Sequence, residues 1–78
     1  MNTEPLRTRI AETIAATLRD AGITVLESSF SGEGIRVDVK GKPGATTAKG
    51  LLEQAGLRNV RALNEGRGVW IVVGNVAA

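Results

Sequence analysis

Cysteine, histidine and tyrosine are all absent from this chain, and each absence removes a class of explanation. Without Cys there is no disulfide and no thiolate metal site, and nothing ties the chain to an oxidising compartment, so a cytoplasmic location is expected. Without His, both the commonest metal ligand and the commonest general base are missing. Aromatic residues are scarce as well. Phe30 and Trp70 are the only ones, so the core must be packed from Val, Ile, Leu and Ala. No apolar run approaches the roughly 20 residues that a membrane-spanning helix needs. Neither a transmembrane segment nor a signal peptide is expected. Charge of one sign is also lacking: ten basic and eight acidic residues leave a net charge of +2, which permits nucleic-acid binding without arguing for it.

What remains is one domain. Seventy-eight residues are enough for a single core and too few for two, and a core this small rarely supplies more than about 3–5 kcal/mol. With disulfides and thiolate metal sites excluded, self-association is the remaining way to bury more apolar surface.

The chain carries an internal repeat. Residues 16–40 written above residues 50–74 match without a gap, at a constant offset of 34. Leu18, Ala21, Gly22, Gly32, Gly34 and Val39 fall on Leu52, Ala55, Gly56, Gly66, Gly68 and Val73. Ile23, Leu26, Ile35 and Val37 fall on Leu57, Val60, Val69 and Ile71, all conservative exchanges. Chance is the rival explanation, because Ala, Gly, Leu and Val are abundant. The matches nevertheless land on structural punctuation: a helix-ending Ala-Gly, a Gly-x-Gly suited to a hairpin, and one face of a strand.

Each unit reads as a helix followed by two strands. The first helix is expected to start near Thr3 or Glu4, with Pro5 tolerated in its first turn. Leu6, Ile10, Ile14 and Leu18 recur at i+4, and Ala11, Ala15 and Ala21 widen the apolar stripe. Gly22 is placed to end this helix in the left-handed conformation, with Ile23 supplying the hydrophobic contact beyond it. A second helix is expected from about residues 43–46 to Ala55, ended by Gly56 and Leu57 in the same way. Gly50 inside it should cost about 1 kcal/mol relative to Ala, and a close approach to the sheet or to the first helix is the expected reason for its presence.

The strands follow a period of two. Ile35, Val37 and Val39 are expected to face the core, with Arg36, Asp38 and Lys40 outside. Leu26 and Phe30 take the inward side of the preceding strand, with Glu27 and Ser29 outside. In the second unit Val60 and Ala62 face in, followed by Val69, Ile71 and Val73. The glycine pairs Gly32/Gly34 and Gly66/Gly68 supply the positive φ values of tight hairpin loops. The expected fold class is α+β, an αββαββ tandem repeat: a four-stranded antiparallel sheet with two helices on one face. The pseudo-repeats cover about residues 5–41 and 42–75. Strand order 1-2-4-3 is preferred over 2-1-3-4, because strands two and four are the more apolar and so belong in the centre.

The copies are most informative where they disagree. Strand two shows Arg36, Asp38 and Lys40 outside, an ordinary solvated face, whereas their counterparts Trp70, Val72 and Gly74 are mostly apolar. With Leu63 beside Arg61 on strand three, Trp70, Val72 and Leu63 form an expected apolar cluster on the helix-free face. Its cover could be the tail of residues 75–78 or a long arginine stem from the same chain, a second copy of the chain in a homodimer, or another macromolecule anchored on Trp70.

No catalytic, metal or cofactor site emerges. Gly32-x-Gly34 and Gly66-x-Gly68 precede no helix, so they offer no phosphate cradle. The stretch from Gly41 to Thr47 places Lys40, Lys42, Gly44 and two threonines at a helix start, where an anion could bind, although N-capping is the commoner use of such residues. The serines and threonines have no His to activate them, and the carboxylates are scattered. No small-molecule substrate and no membrane partner are expected. The leading expectation is therefore a non-enzymatic interaction module, homodimeric or bound to a host protein. Its contact residues would be Trp70, Val72, Leu63, Arg61 and Arg36, and a small phage or mobile-element accessory protein fits that description. The alternative is nucleic-acid binding on the same face, with a base stacked on Trp70 and Arg36, Arg61 and Lys40 along a backbone.

Overall fold

A computed structural model describes the backbone of residues 4–31 and 34–76, and the side chains within them other than those of residues 4–8 and Ser31. Leu6 is thereby outside the described side chains, and Thr3 and Gly32 lie outside the described residues altogether. The order of elements is α1 (Glu4–Asp20), β1 (Val25–Ser31), β2 (Gly34–Lys40), α2 (Lys42–Gln54), β3 (Arg58–Gly66) and β4 (Val69–Asn75). The strands form one antiparallel sheet in the order β1-β2-β4-β3, the order expected from the apolar character of strands two and four. Helix α1 packs mainly over β1, and α2 over β3, β4 and β2.

The two helices end identically. After α1 the Ile23 amide donates to the Leu18 carbonyl at 3.0 Å and the Gly22 amide to Arg19 at 2.9 Å. After α2 the Leu57 amide donates to Leu52 and the Gly56 amide to Glu53, both at 3.1 Å. This is the Schellman arrangement, and it needs a left-handed residue at the turn. Gly22 and Gly56 supply it with φ of 85° and 96°. Leu18 and Leu52, which anchor the two motifs, are each only 1% exposed. Burying a side chain of that size contributes about 1.5–3 kcal/mol, so the repeat places its largest apolar anchors where its helices must stop.

Ile35, Val37 and Val39 of β2 lie under the helices with Leu18, Leu52, Ala45 and Ala48, as the alternation predicts. The register then corrects the second unit. Residues paired across an antiparallel ladder share a face, and Val37 pairs with Val72, Val39 with Trp70, and Ile35 with Gly74. Val72, Trp70 and Gly74 therefore face the helices, and Val69, Ile71 and Val73 take the open face, the reverse of the expectation. Val72 is wholly buried, and Trp70 is half-buried against the core.

The cause lies in the bulges. In β1 the ladder slips once, between Val25 and Glu27. In β3 it slips twice, between Arg58 and Arg61 and again between Asn64 and Gly66. Each bulge inserts one residue, so the second hairpin carries one more than the first. The helix ends match at an offset of 34, whereas the last strands match at 35, Val37 corresponding to Val72. One residue of slip turns every side chain of a strand to the other face.

Three smaller expectations also change. The β1 bulge leaves Leu26 51% exposed, and Val25 takes its place in the core. A Cβ added at Gly50 would meet nothing within 4 Å, so no close approach explains that glycine. Ala21 follows the last helical residue and is exposed, so the α1 stripe ends at Leu18.

Candidate functional site

The helix-free face of the sheet is the surface on which the two halves differ most. The ladder arranges it in rows that cross the strands. One row runs Glu27, Asp38, Ile71, Leu63, and the next runs Ser29, Arg36, Val73, Arg61. Lys40 and Val69 lie side by side beyond the first row. The β1–β2 half is thus charged, and the β4–β3 half is apolar at Val69, Ile71, Val73 and Leu63, with Arg61 beside them and the pair of Asn75 and Arg58 in the row beyond.

Ile71 sits at the centre of this face and is only 8% exposed although no helix covers it. Its neighbours in register are Asp38 and Leu63, and along its own strand Val69 and Val73 flank it on the same side. Leu63, on the edge strand, is 51% exposed. The apolar strip expected from the sequence is present on this face, but its central-strand members are Val69, Ile71 and Val73. Of the expected contact residues, Leu63, Arg61 and Arg36 lie on the open face. Trp70 and Val72 do not, and Val72 has no exposed surface to offer.

Electrostatics organise the charged half. Arg36 Nε donates to Asp38 Oδ1 at 3.0 Å, and a second guanidinium nitrogen donates to Oδ2 at 3.4 Å. The two-point contact holds the guanidinium in one plane. Asp38 raises the Arg36 pKa above its ordinary value, first by the hydrogen bond and then by its charge, and Glu65 and Glu27 act in the same direction. Glu27 pairs directly with Asp38, a juxtaposition of like charges that is unfavourable by itself, and Arg36 sets a cation beside it.

The start of α2 behaves differently from expectation. Neither threonine caps it; Thr46 Oγ1 instead donates to the Lys42 carbonyl within the helix, at 3.1 Å. Gly41 precedes the helix with φ of 85°, and its amide donates to the Gly68 carbonyl at 2.7 Å, tying this junction to the tip of the second hairpin. Arg67 and Gly68 form that tip, both at positive φ, as a two-residue type I′ loop demands.

The bulges that set which residues reach the open face were missed from the sequence, and two signals for them exist. Asn59 adopts φ of 53°, a conformation that Asn tolerates better than most residues, and it lies inside the first β3 bulge. Asn64 accepts a hydrogen bond from the Gly66 amide at 2.8 Å across the second, the local turn that Asn favours. Among the described residues no group of three or more acidic, His or Cys side chains is placed to hold a metal ion. Among them, too, no helix is long and apolar enough to cross a membrane.

Fold and surface together define an α+β domain of order αββαββ whose sheet carries helices on one face only, among the described residues. No known protein family, no curated protein and no solved structure matches the chain.

Proposed function

We propose that this chain is a non-enzymatic protein-interaction module whose contact surface is the helix-free sheet face around Leu63, Ile71 and Val73, bordered by Arg36 and Arg61. The observation that carries this reading is the outward row of β4. A central strand that is apolar on both sides normally has something on both sides, and here only one is covered by helices. The lack of His and Cys supports the non-enzymatic part of the reading. Nucleic-acid binding loses its base-stacking residue, because Trp70 is turned to the helix side and Arg36 is engaged with Asp38.

A photoreactive benzoylphenylalanine placed at Leu63, with a control at exposed Glu12 of α1, tests the proposal in cells. Position 63 should give a discrete polypeptide adduct and position 12 none. Equal labelling from both positions, or none from either, would remove the reading.

A further inference from the structure

Resting on the reading above that the bare face binds protein, we infer that its occupant is a second copy of this chain, packed face to face with its strands antiparallel to the first. The argument is charge complementarity between neighbouring rows. The row of Asp38 and Ile71 carries Glu27 and Asp38, and the adjacent row of Arg36 and Val73 carries Arg36 and Arg61, with Lys40 and Arg58 in the rows outside them. The rows are two residues apart, about 6.6 Å along the strands.

A twofold axis that crosses the strands midway between these rows lays the acidic row of each copy on the basic row of the other. Asp38 then meets Arg36 of the second copy twice by symmetry, and Ile71 lies over Val73 in both directions. The Arg36–Asp38 pair within each chain becomes half of a four-charge array. A twofold axis along the strands instead keeps each row on itself, so that no acidic side chain meets a basic one: about the middle of the sheet Arg36 falls on Val73, Arg61 on Ser29 and Asp38 on Ile71. The pattern of charge thus selects one of the two symmetric ways to stack the sheets, and that way is compatible with the aligned packing of twisted sheets. The Arg36–Asp38 column thus carries its own complement and Ile71 meets Val73, while Glu27 falls on Ser29 and Arg61 on Leu63 of the second copy. A domain of this size has limited apolar burial of its own, and packing two such sheets face to face adds to it.

Reversed charges supply the test. Asp38→Arg leaves two cations at positions 36 and 38, and Arg36→Asp leaves two anions. Each variant alone should dimerise more weakly than the wild type, on the order of tenfold in sedimentation equilibrium. Mixed in equal amounts, they should form a heterodimer at least as tight as the wild-type homodimer, because both cross-contacts then pair opposite charges. Both variants lose the same internal ion pair, so a purely structural role for that pair predicts no gain on mixing. Should either variant fail to fold by circular dichroism, Asp38→Asn and Arg36→Gln replace them. Each of these should weaken the dimer, with nothing regained on mixing. A wild-type chain that stays monomeric at every concentration overturns the proposal, as does a mixture no tighter than its components, or neutral variants that dimerise as the wild type does. A discrete adduct from position 63 of a mass other than twice the chain overturns the second copy while leaving the interaction module standing.

Discussion

The two hairpins share one pattern of residues and realise it differently. In the first, a single bulge leaves β2 with Ile35, Val37 and Val39 under the helices and charges outside. In the second, a further bulge turns β4 over, so that Trp70, Val72 and Gly74 fill the core positions and β-branched residues face outward. Core volume is redistributed with the turn. Where the first hairpin sets Ile35 and Val39 about the central Val37, the second sets Trp70 and Gly74 about Val72. The side chains of Leu57 and Val60 crowd the position of the missing Gly74 Cβ. A duplicated scaffold can therefore change its outer surface without changing its topology, by adding one residue to an edge strand.

The contrast is most sharply tested on β4 itself. Val72→Asp buries an unpaired charge and should cost more than about 4 kcal/mol, enough to unfold so small a domain. Val73→Asp, one residue away, places a carboxylate between Arg36 and Arg61 and should cost less than about 1 kcal/mol. Urea titrations followed by Trp70 fluorescence rank the two, and the opposite ranking would return β4 to the phase of the ungapped repeat. The equivalence of the units, as distinct from their divergence, is measured at the helix ends. Leu18→Ala and Leu52→Ala should each lose about 2–4 kcal/mol, and a much milder effect at one of them in thermal melts would break the symmetry claimed for the two motifs.

Smaller effects follow at the glycines. A Cβ at Gly74 would lie 3.1 Å from Leu57 Cδ2 and 3.2 Å from Val60 Cγ2, so Gly74→Ala should destabilise by about 1–3 kcal/mol. Combined with Leu57→Ala it should cost less than the sum of the two single changes, which denaturant titration of all three variants would reveal. Gly50 stands where the first unit has Ala16, with open space around it. Gly50→Ala should stabilise by about 1 kcal/mol, and Ala16→Gly should lose a similar amount, both read as shifts in the urea midpoint.

Much of this architecture could be read from the chain because its signals were local. Gly22 and Gly56 each follow an i+4 apolar stripe and precede a large aliphatic residue, a combination with one common structural meaning. The strand order followed from the hydrophobicity of β2 and β4. The side chosen by β4 could not be read in the same way. Val69 to Val73 are apolar at every position, so alternation assigns no inside, and the face depends on a count of bulged residues in a different strand. Asn59 and Asn64 carry that information, yet Asn also occurs in ordinary turns and exposed strands. The candidate surface was legible as a contrast between two strands, and its membership was fixed only by register.

The two bulges of β3 have a further consequence at the margins of the sheet. An outermost strand offers a row of unused amides and carbonyls, an invitation to runaway polymerisation into fibres. Along β3 that row is broken twice, so an incoming segment would find its bonding groups out of step. The opposite margin, β1, is interrupted once, near its beginning, and keeps an unbroken stretch from Glu27 onward. Filament growth, if heat or acid provokes it, should start from that less guarded side.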